Sequence, residues 1–202
     1  MLSLWKKIEY WDQTLLLLIN QDGRNAFFDS WLPWIREANM WAPLYLFLIV
    51  FAIYNFKWKG VVWVLSIIAA VALSDIVSSQ VLKEYIGRLR PCNDPFMQQY
   101  LRFIIKRCPV SFSFTSSHAA NHFTVAMFIV TTARHIIGSR IKLFFAWAFF
   151  ICYAQMYVGV HYPLDILGGT LVGLGIGYAF ARIFNKHFYL HISDVMPERK
   201  QM

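Results

Sequence analysis

Two histidines, a carboxylate and a pair of cations sit in three short segments of a 202-residue chain. The segment "KEYIGRLRP" carries Lys83, Arg88, Arg90 and Pro91, "SFTSSHAANHF" carries Ser116, Ser117 and His118, and "YVGVHYPLD" carries His161 and Asp165. Lys83 and Arg90 bring positive charge, and the arginine fork suits phosphate oxygens. Ser116 stands where an apolar helical run begins, so it caps a helix whose first backbone N–H groups and dipole favour an anion. A neutral imidazole attacks phosphorus when a carboxylate orients its other nitrogen, and a second imidazole can protonate the leaving oxygen. His161, four residues before Asp165 with Pro163 in the first turn between them, suits the first role. His118, beside the anion cradle, suits the second. Fixed positive groups can stabilise charge on a transferring phosphoryl without a metal, so neither metal nor other cofactor is expected.

Blander readings compete for each residue. His118 and His122 are four apart, as zinc ligands on a helix can be, but "HAANH" lacks the glutamate a zinc hydrolase needs. His122 is therefore expected to be buried structure. Arg102, Lys106 and Arg107 read as solvated or as contacts to lipid headgroups. A lone interfacial histidine would be an anchor; two histidines, an acid and a Lys/Arg pair converging on one face are hard to explain that way.

The elements that must bring these segments together are apolar. Hydrophobic residues make up 58% of the chain and charged ones 15%, against about a quarter charged in soluble domains. The expected fold is all-α, a polytopic membrane helical bundle. Five long uncharged runs are candidate spans: Met40 to Phe56, Val61 to Ser74, Ala119 to Ala133, Leu143 to Val160 and Ile166 to Ala181. Leu4, Ile8, Trp11 and Leu15 recur at helical spacing among Lys6, Lys7, Glu9 and Asp12, which predicts an N-terminal interfacial amphipathic helix. "FFDSWLPWIREAN" predicts a second short helix, with Trp31, Trp34 and Trp41 as interface anchors. A sixth span within residues 8–30 is the alternative, against which stand Asp12, Asp22 and Arg24. Nothing at the N-terminus reads as a cleaved signal. The chain divides into an N-terminal interfacial segment 1–38, a transmembrane domain 39–186 and a cytoplasmic tail 187–202.

The net charge of +8 reads as topological, with no nucleic-acid partner implied. Lys57 and Lys59, the group Arg134, His135, Arg140 and Lys142, and the group Arg182, Lys186, Arg199 and Lys200 mark three cytoplasmic segments. All three polar motifs then fall on the opposite face, in the loop from about Lys83 to Ser116 and the turn from Gly159 to Asp165. Cys92 and Cys108 bracket that loop, so a bridge between them is one reading and two free thiols the other. Asp75, inside the second span, is expected to hold helices together through serine or backbone partners. In "GGTLVGLGIG", Gly169, Gly173 and Gly177 predict close helix packing, within this chain or in a dimer.

In order and spacing, the three motifs resemble those of the type 2 phosphatidic acid phosphatase family, membrane relatives of vanadium haloperoxidases, over about residues 60–185. Lys-six residues-Arg-Pro is met by Lys83, Arg90 and Pro91, Pro-Ser-Gly-His at Ser116 and His118, and Ser-Arg-five residues-His-three residues-Asp at His161 and Asp165. The resemblance implies His161 as a nucleophile forming a phosphohistidine, Asp165 as its orienter and His118 as general acid. Lys83, Arg90, Ser116 and the Ser117 N–H would hold phosphate. Thr115 and Ser117 replace the family's Pro and Gly, and Ala154-Gln155 stand where the third motif has Ser-Arg. Gln155 donates hydrogen bonds but no charge, and Arg88, Arg102, Lys106 and Arg107 are candidate replacements. The implied protein is a phosphatase of the bacterial inner membrane with a periplasmic active site. Its substrate would be a lipid phosphate: undecaprenyl pyrophosphate, phosphatidylglycerophosphate, phosphatidic acid or a lipid A phosphate. A lipid-phosphate binder without turnover, or a transporter with Asp75 on its pathway, are the rival classes.

Overall fold

The computed structural model describes residues 4–191. The tail expected at 187–202, with Arg199 and Lys200, lies mostly outside them. Regular structure among the described residues is helical throughout: α1 (Leu4–Leu17), α2 (Ala26–Ile35), α3 (Ala42–Asp75), α4 (Lys83–Ile86), α5 (Ser117–Ile137), α6 (Leu143–Tyr157) and α7 (Pro163–His187). Among the described residues three stretches are long and apolar enough to cross a membrane: Ala38–Gln99, Ser117–Tyr157 and Pro163–His187.

The first two of these stretches turn back on themselves. Within α3, Lys57 leaves the helical region at φ 52°, ψ −126°. In a straight helix positions 52 and 60 would be about 12 Å apart, yet a Cβ on Gly60 would meet the Ala52 carbonyl oxygen at 2.0 Å. Residues 42–56 and 58–75 are therefore two antiparallel arms, and only a glycine fits at the crossing. The second reversal is the turn Gly138–Lys142, which lays α6 against α5 so that the Phe123 and Phe145 rings stack at 6.3 Å. The result is a bundle in which the first two stretches each supply two apolar rods and α7 another. Neither α1 nor α2 is among the stretches able to cross. Leu4, Trp5, Ile8, Trp11 and Leu15 form an exposed stripe on α1, as do Phe27, Trp31 and Trp34 on α2, the pattern of helices lying in an interface.

The pair α5 and α7 forms the bundle's centre, where backbone nearly touches backbone. A Cβ on Gly169, Gly173 or Gly177 would lie 2.3, 2.3 or 2.6 Å from the carbonyl oxygens of Ser116, Ala120 and Thr124 respectively. The glycine stripe thus packs within the chain, and Thr124 adds a hydroxyl bond to the Gly173 carbonyl at 3.2 Å.

The two ends of the bundle differ in chemistry. Phe56, Ala133, Ile141, Phe184 and Leu190 share one apolar cluster, which gathers the basic segments around Lys57, Arg134, Arg140 and Lys186 at one end. The His135 ring stacks on Tyr189 there, with centroids 4.6 Å apart. All three polar motifs lie at the other end.

Candidate active site

A π-helical stretch, Ile76–Leu82, continues α3 beyond the apolar run and delivers Lys83 to the site in buried surroundings. The chain then stops at Gly87, whose left-handed φ of 63° closes α4. From there a folded loop covers the bundle end. Cys92 and Cys108 are disulfide-bonded within it, with Cα atoms 5.9 Å apart. The Ser113 N–H donates to the Arg88 carbonyl at 2.7 Å, and Asn93 to the Pro109 carbonyl at 2.9 Å. Arg90 is buried in this loop, its Nε donating to the Ser111 carbonyl at 2.7 Å and its Nη2 to the Ser111 hydroxyl at 3.0 Å.

His161 lies between α6 and α7 and is 1% exposed. Arg90 Nη1 approaches its Nε2 at 3.0 Å and also donates to the Val160 carbonyl at 3.1 Å. A guanidinium can only donate, so Nε2 accepts and Nδ1 carries the proton. Nδ1 lies 3.4 Å from the Ser113 hydroxyl and 3.6 Å from Asp165 Oδ2, while Ser113 donates to that same oxygen. The imidazole is thus oriented by Asp165 both directly and through Ser113, with its Nε2 lone pair turned toward the arginine. Burial drives the His161 imidazole down to about 4, against the opposing pull of the Asp165 carboxylate. It is neutral at physiological pH, the form that can act as a nucleophile.

Asp165 is itself fixed on every side. Arg88 Nη1 donates to its Oδ1 at 2.8 Å and the Tyr162 N–H to its Oδ2 at 2.8 Å. Its backbone carbonyl accepts from the Ser116 N–H at 3.0 Å, which ties the start of α7 to the start of α5. Arg88 lies over the Tyr162 ring, 3.9 Å from its centroid, and its Nη2 reaches Asp12 of α1 at 2.6 Å. Asp12 in turn accepts the Leu164 N–H at 2.8 Å. The first helix therefore contributes a buried carboxylate to the site's framework.

Ser116 is the N-cap of α5, its hydroxyl accepting from the Ala119 N–H at 3.3 Å. Its oxygen serves the helix, leaving the first-turn N–H groups and the buried Ser117 hydroxyl, which has no hydrogen-bond partner, for an anion. His118 follows and stacks on His122 at 6.1 Å. His122 is structural as expected: its Nδ1 bonds the His118 carbonyl at 2.8 Å and its Nε2 pairs with the Tyr45 hydroxyl at 3.2 Å. His118, His161 and Lys83 lie within electrostatic reach of one another, and so do Lys83, Arg90 and Asp165. Lys83 and Arg90 are 6% and 5% exposed, and neither forms an ion pair among the described residues.

Beside His118 a cavity of about 640 Å³ runs between the two arms of α3 and α5. Ser117, Asp75 and Asn121 line its polar end, and Trp63, Ile67 and Leu48 its apolar length. Asp75 is held there by Asn121 at 3.0 Å and Ser79 at 3.3 Å, a helix-joining role of the kind expected.

The third motif's departure has a specific surrounding. Gln155 is 1% exposed, and its amide nitrogen donates to the Arg36 carbonyl at 3.4 Å. Among the cations named as replacements, Arg88 is engaged by Asp12 and Asp165, while Arg102 is bound to Asp29 at 2.6 Å and the Tyr157 hydroxyl at 3.1 Å. Lys106 and Arg107 are exposed. Sequence reasoning missed Ser113, Asp12 and Arg36. Ser113 carried a faint signal as a polar residue two positions before the second motif, whereas Asp12 and Arg36 reach the site only through tertiary packing.

Comparison with known proteins agrees with this geometry. Residues 63–189 match the PAP2 superfamily. A lipid A 4'-phosphatase of Bacteroides thetaiotaomicron is 31% identical over 176 residues, covering 86% of this chain and 77% of that protein. The crystal structure of Aquifex aeolicus LpxE superposes with a TM-score of 0.64 at 26% identity, over 84% of this chain and 93% of that one. A transmembrane PAP2-type phosphatidylglycerolphosphate phosphatase from Bacillus subtilis shares the fold, with a TM-score of 0.65 at 21% identity over 89% and 87% of the two chains. With all three motifs gathered at one end of a matching bundle, the chain belongs to the PAP2 superfamily.

Proposed function

We propose that this protein is a membrane lipid phosphatase that removes a terminal phosphate through a phosphohistidine on His161. The observation that carries this reading is the junction of two environments at His118. On one side stand the oriented His161 and two buried cations without carboxylate partners; on the other is an apolar cavity suited to a hydrocarbon tail. Buried charge is costly without a counter-ion, and a phosphate monoester supplies one.

In the proposed reaction the lipid phosphate places its oxygens against Lys83, Arg90 and the α5 N-terminus. His161 Nε2 attacks phosphorus, the bond from phosphorus to the lipid oxygen breaks, and His118 gives that oxygen a proton. The bound dianion favours the imidazolium form His118 needs for this. His118 then takes a proton from water, whose oxygen displaces Nε2 and releases inorganic phosphate. Asp165 stabilises positive charge on the His161 ring throughout, and the fixed cations stabilise the equatorial oxygens.

The substrate class is a lipid phosphate, and the 31% identity to the Bacteroides lipid A 4'-phosphatase supports a lipid A phosphate as the first to test. Undecaprenyl pyrophosphate, phosphatidylglycerophosphate and phosphatidic acid complete the panel. The location that fits is the inner membrane with the site facing the periplasm. The basic end opposite the site supports this orientation, as does a disulfide in the covering loop, which belongs in an oxidising compartment.

The test is phosphate release from that panel by wild type and His161→Ala in detergent or vesicles. Release by wild type, reduced at least about 10³-fold in the variant, is the expected outcome. Equal release by both would remove His161 as nucleophile. No release by wild type from any substrate would favour the lipid-phosphate binder, the reading to which Gln155 in place of a cation lends itself.

A further inference from the structure

Arg36 follows α2 directly, and its position is set by contacts on both sides. Its N–H bonds the Leu32 carbonyl at 3.2 Å, its own carbonyl accepts from the Gln155 amide, and the Trp41 indole donates to the neighbouring Ile35 carbonyl at 2.7 Å. Trp41 continues inward as an edge-to-face stack on Trp147, which meets the His122 ring at 5.0 Å. The segment is thereby anchored over the head of α5. Ala38, two residues on, lines the cavity that His118 lines.

The side chain is 16% exposed. One edge of the guanidinium is paired, Nη2 to the half-exposed Glu37 carboxylate at 2.6 Å. The Nε–H is buried and without a hydrogen-bond partner. A buried guanidinium donor left unpaired is unfavourable unless a ligand satisfies it. Its charge acts on both His118 and Arg90, so it is a third cation within electrostatic reach of the site that holds Lys83 and Arg90. Such a concentration of like charge is destabilising by itself and calls for an anion.

We propose that Arg36 contacts the phosphoryl group bound between His118 and Arg90, donating from its buried edge, and that the N-terminal segment thereby completes the anion site at the place where Gln155 brings no charge. This deepens the phosphatase reading and depends on it for the identity of the bound group, though anion binding itself can be measured apart from turnover. Glu37 holds Nη2 at 2.6 Å and so limits how the guanidinium can turn.

The test uses the full chain in detergent, with inorganic phosphate as the probe and binding measured by calorimetry, alongside lipid phosphate turnover. Arg36→Gln is expected to weaken phosphate binding about 10- to 100-fold, the loss of a charge-assisted contact, with an unchanged or higher melting temperature in the absence of phosphate. Arg36→Lys should retain part of the affinity. Because the Gln155 amide already reaches the Arg36 backbone, Gln155→Arg in the Arg36→Gln background places a guanidinium in the same region and should recover at least tenfold. Phosphate affinity of Arg36→Gln within twofold of wild type overturns the proposal, as does absence of phosphate binding by wild type. Binding that depends on Arg36 in a wild-type protein without turnover keeps the proposal and removes only the enzymatic reading.

Discussion

The His161 imidazole is held neutral by burial, with its ring proton on the Asp165 side and its Nε2 lone pair accepting from Arg90. An exposed histidine takes up its proton near 6.5. In the folded protein the ¹⁵N resonances of His161, followed by NMR in detergent without phosphate, should titrate with a midpoint at about 4. The unfolded chain binds this proton at higher pH than the folded one. The resulting contribution to stability is therefore complete above about 6.5 and is lost as pH falls through about 4. A midpoint near 6.5 would show that the ring is solvated. Asp12 acts at one remove, through Arg88 and Asp165. Asp12→Asn is expected to lower kcat about tenfold while KM stays within about twofold, because it loosens the orienter without touching the substrate's site. Steady-state kinetics on the preferred lipid phosphate checks that split; a rise in KM alone would contradict it.

Helices α5 and α7 are joined along the stripe Gly169, Gly173 and Gly177, and the same pair carries His118 and Asp165. Gly173→Val should lower the melting temperature and cost about 1–3 kcal/mol or more, since the new side chain must push against the Ala120 carbonyl. Gly175 faces open space on the same helix, so Gly175→Ala should leave stability unchanged or raise it by up to about 1 kcal/mol. Thermal unfolding of the two variants side by side separates the crowded face from the open one; equal behaviour would refute the packing. Much of this architecture was legible in the sequence. The apolar runs located the rods, and the period-four glycines located the closest approach. The uncharged run of the second span ends at Ser74, where Asp75, Ser78, Ser79 and Gln80 lower the hydropathy, although Asp75 itself is expected inside the span. In the structure the helix carries on through those residues by satisfying Asp75 with Ser79 and Asn121. Hydropathy registers the charge but not the partners that neutralise it.

At the scale of the whole molecule, the three motifs were readable because each is local, with its residues within eleven positions of one another. Asp12 and Arg36 were not, because Asp12 meets Arg88 across 76 positions and Arg36 meets Gln155 across 119. No periodicity encodes such pairings. They arise because α1 and α2 lie over the same bundle end as the covering loop. That placement also sets the expected orientation. A single cysteine at Lys59, introduced after Cys92, Cys108 and Cys152 are replaced by serine, should react with a membrane-impermeant thiol reagent only from the cytoplasmic side. One at the exposed Tyr85 should react only from the periplasmic side. Labelling of both from one side would disprove the topology.

The backbone contact between α5 and α7 has a mechanical consequence. With carbonyls of one helix seated on glycines of the other, this pair has no slack, and it fixes His118 on α5 against Asp165 on α7. The folded-back arms of α3, which form the far wall of the cavity, meet α5 through side chains such as Trp63 on Phe128. In the proposed reaction, any give needed to admit a hydrocarbon tail falls to that hairpin rather than to the α5–α7 pair opposite it.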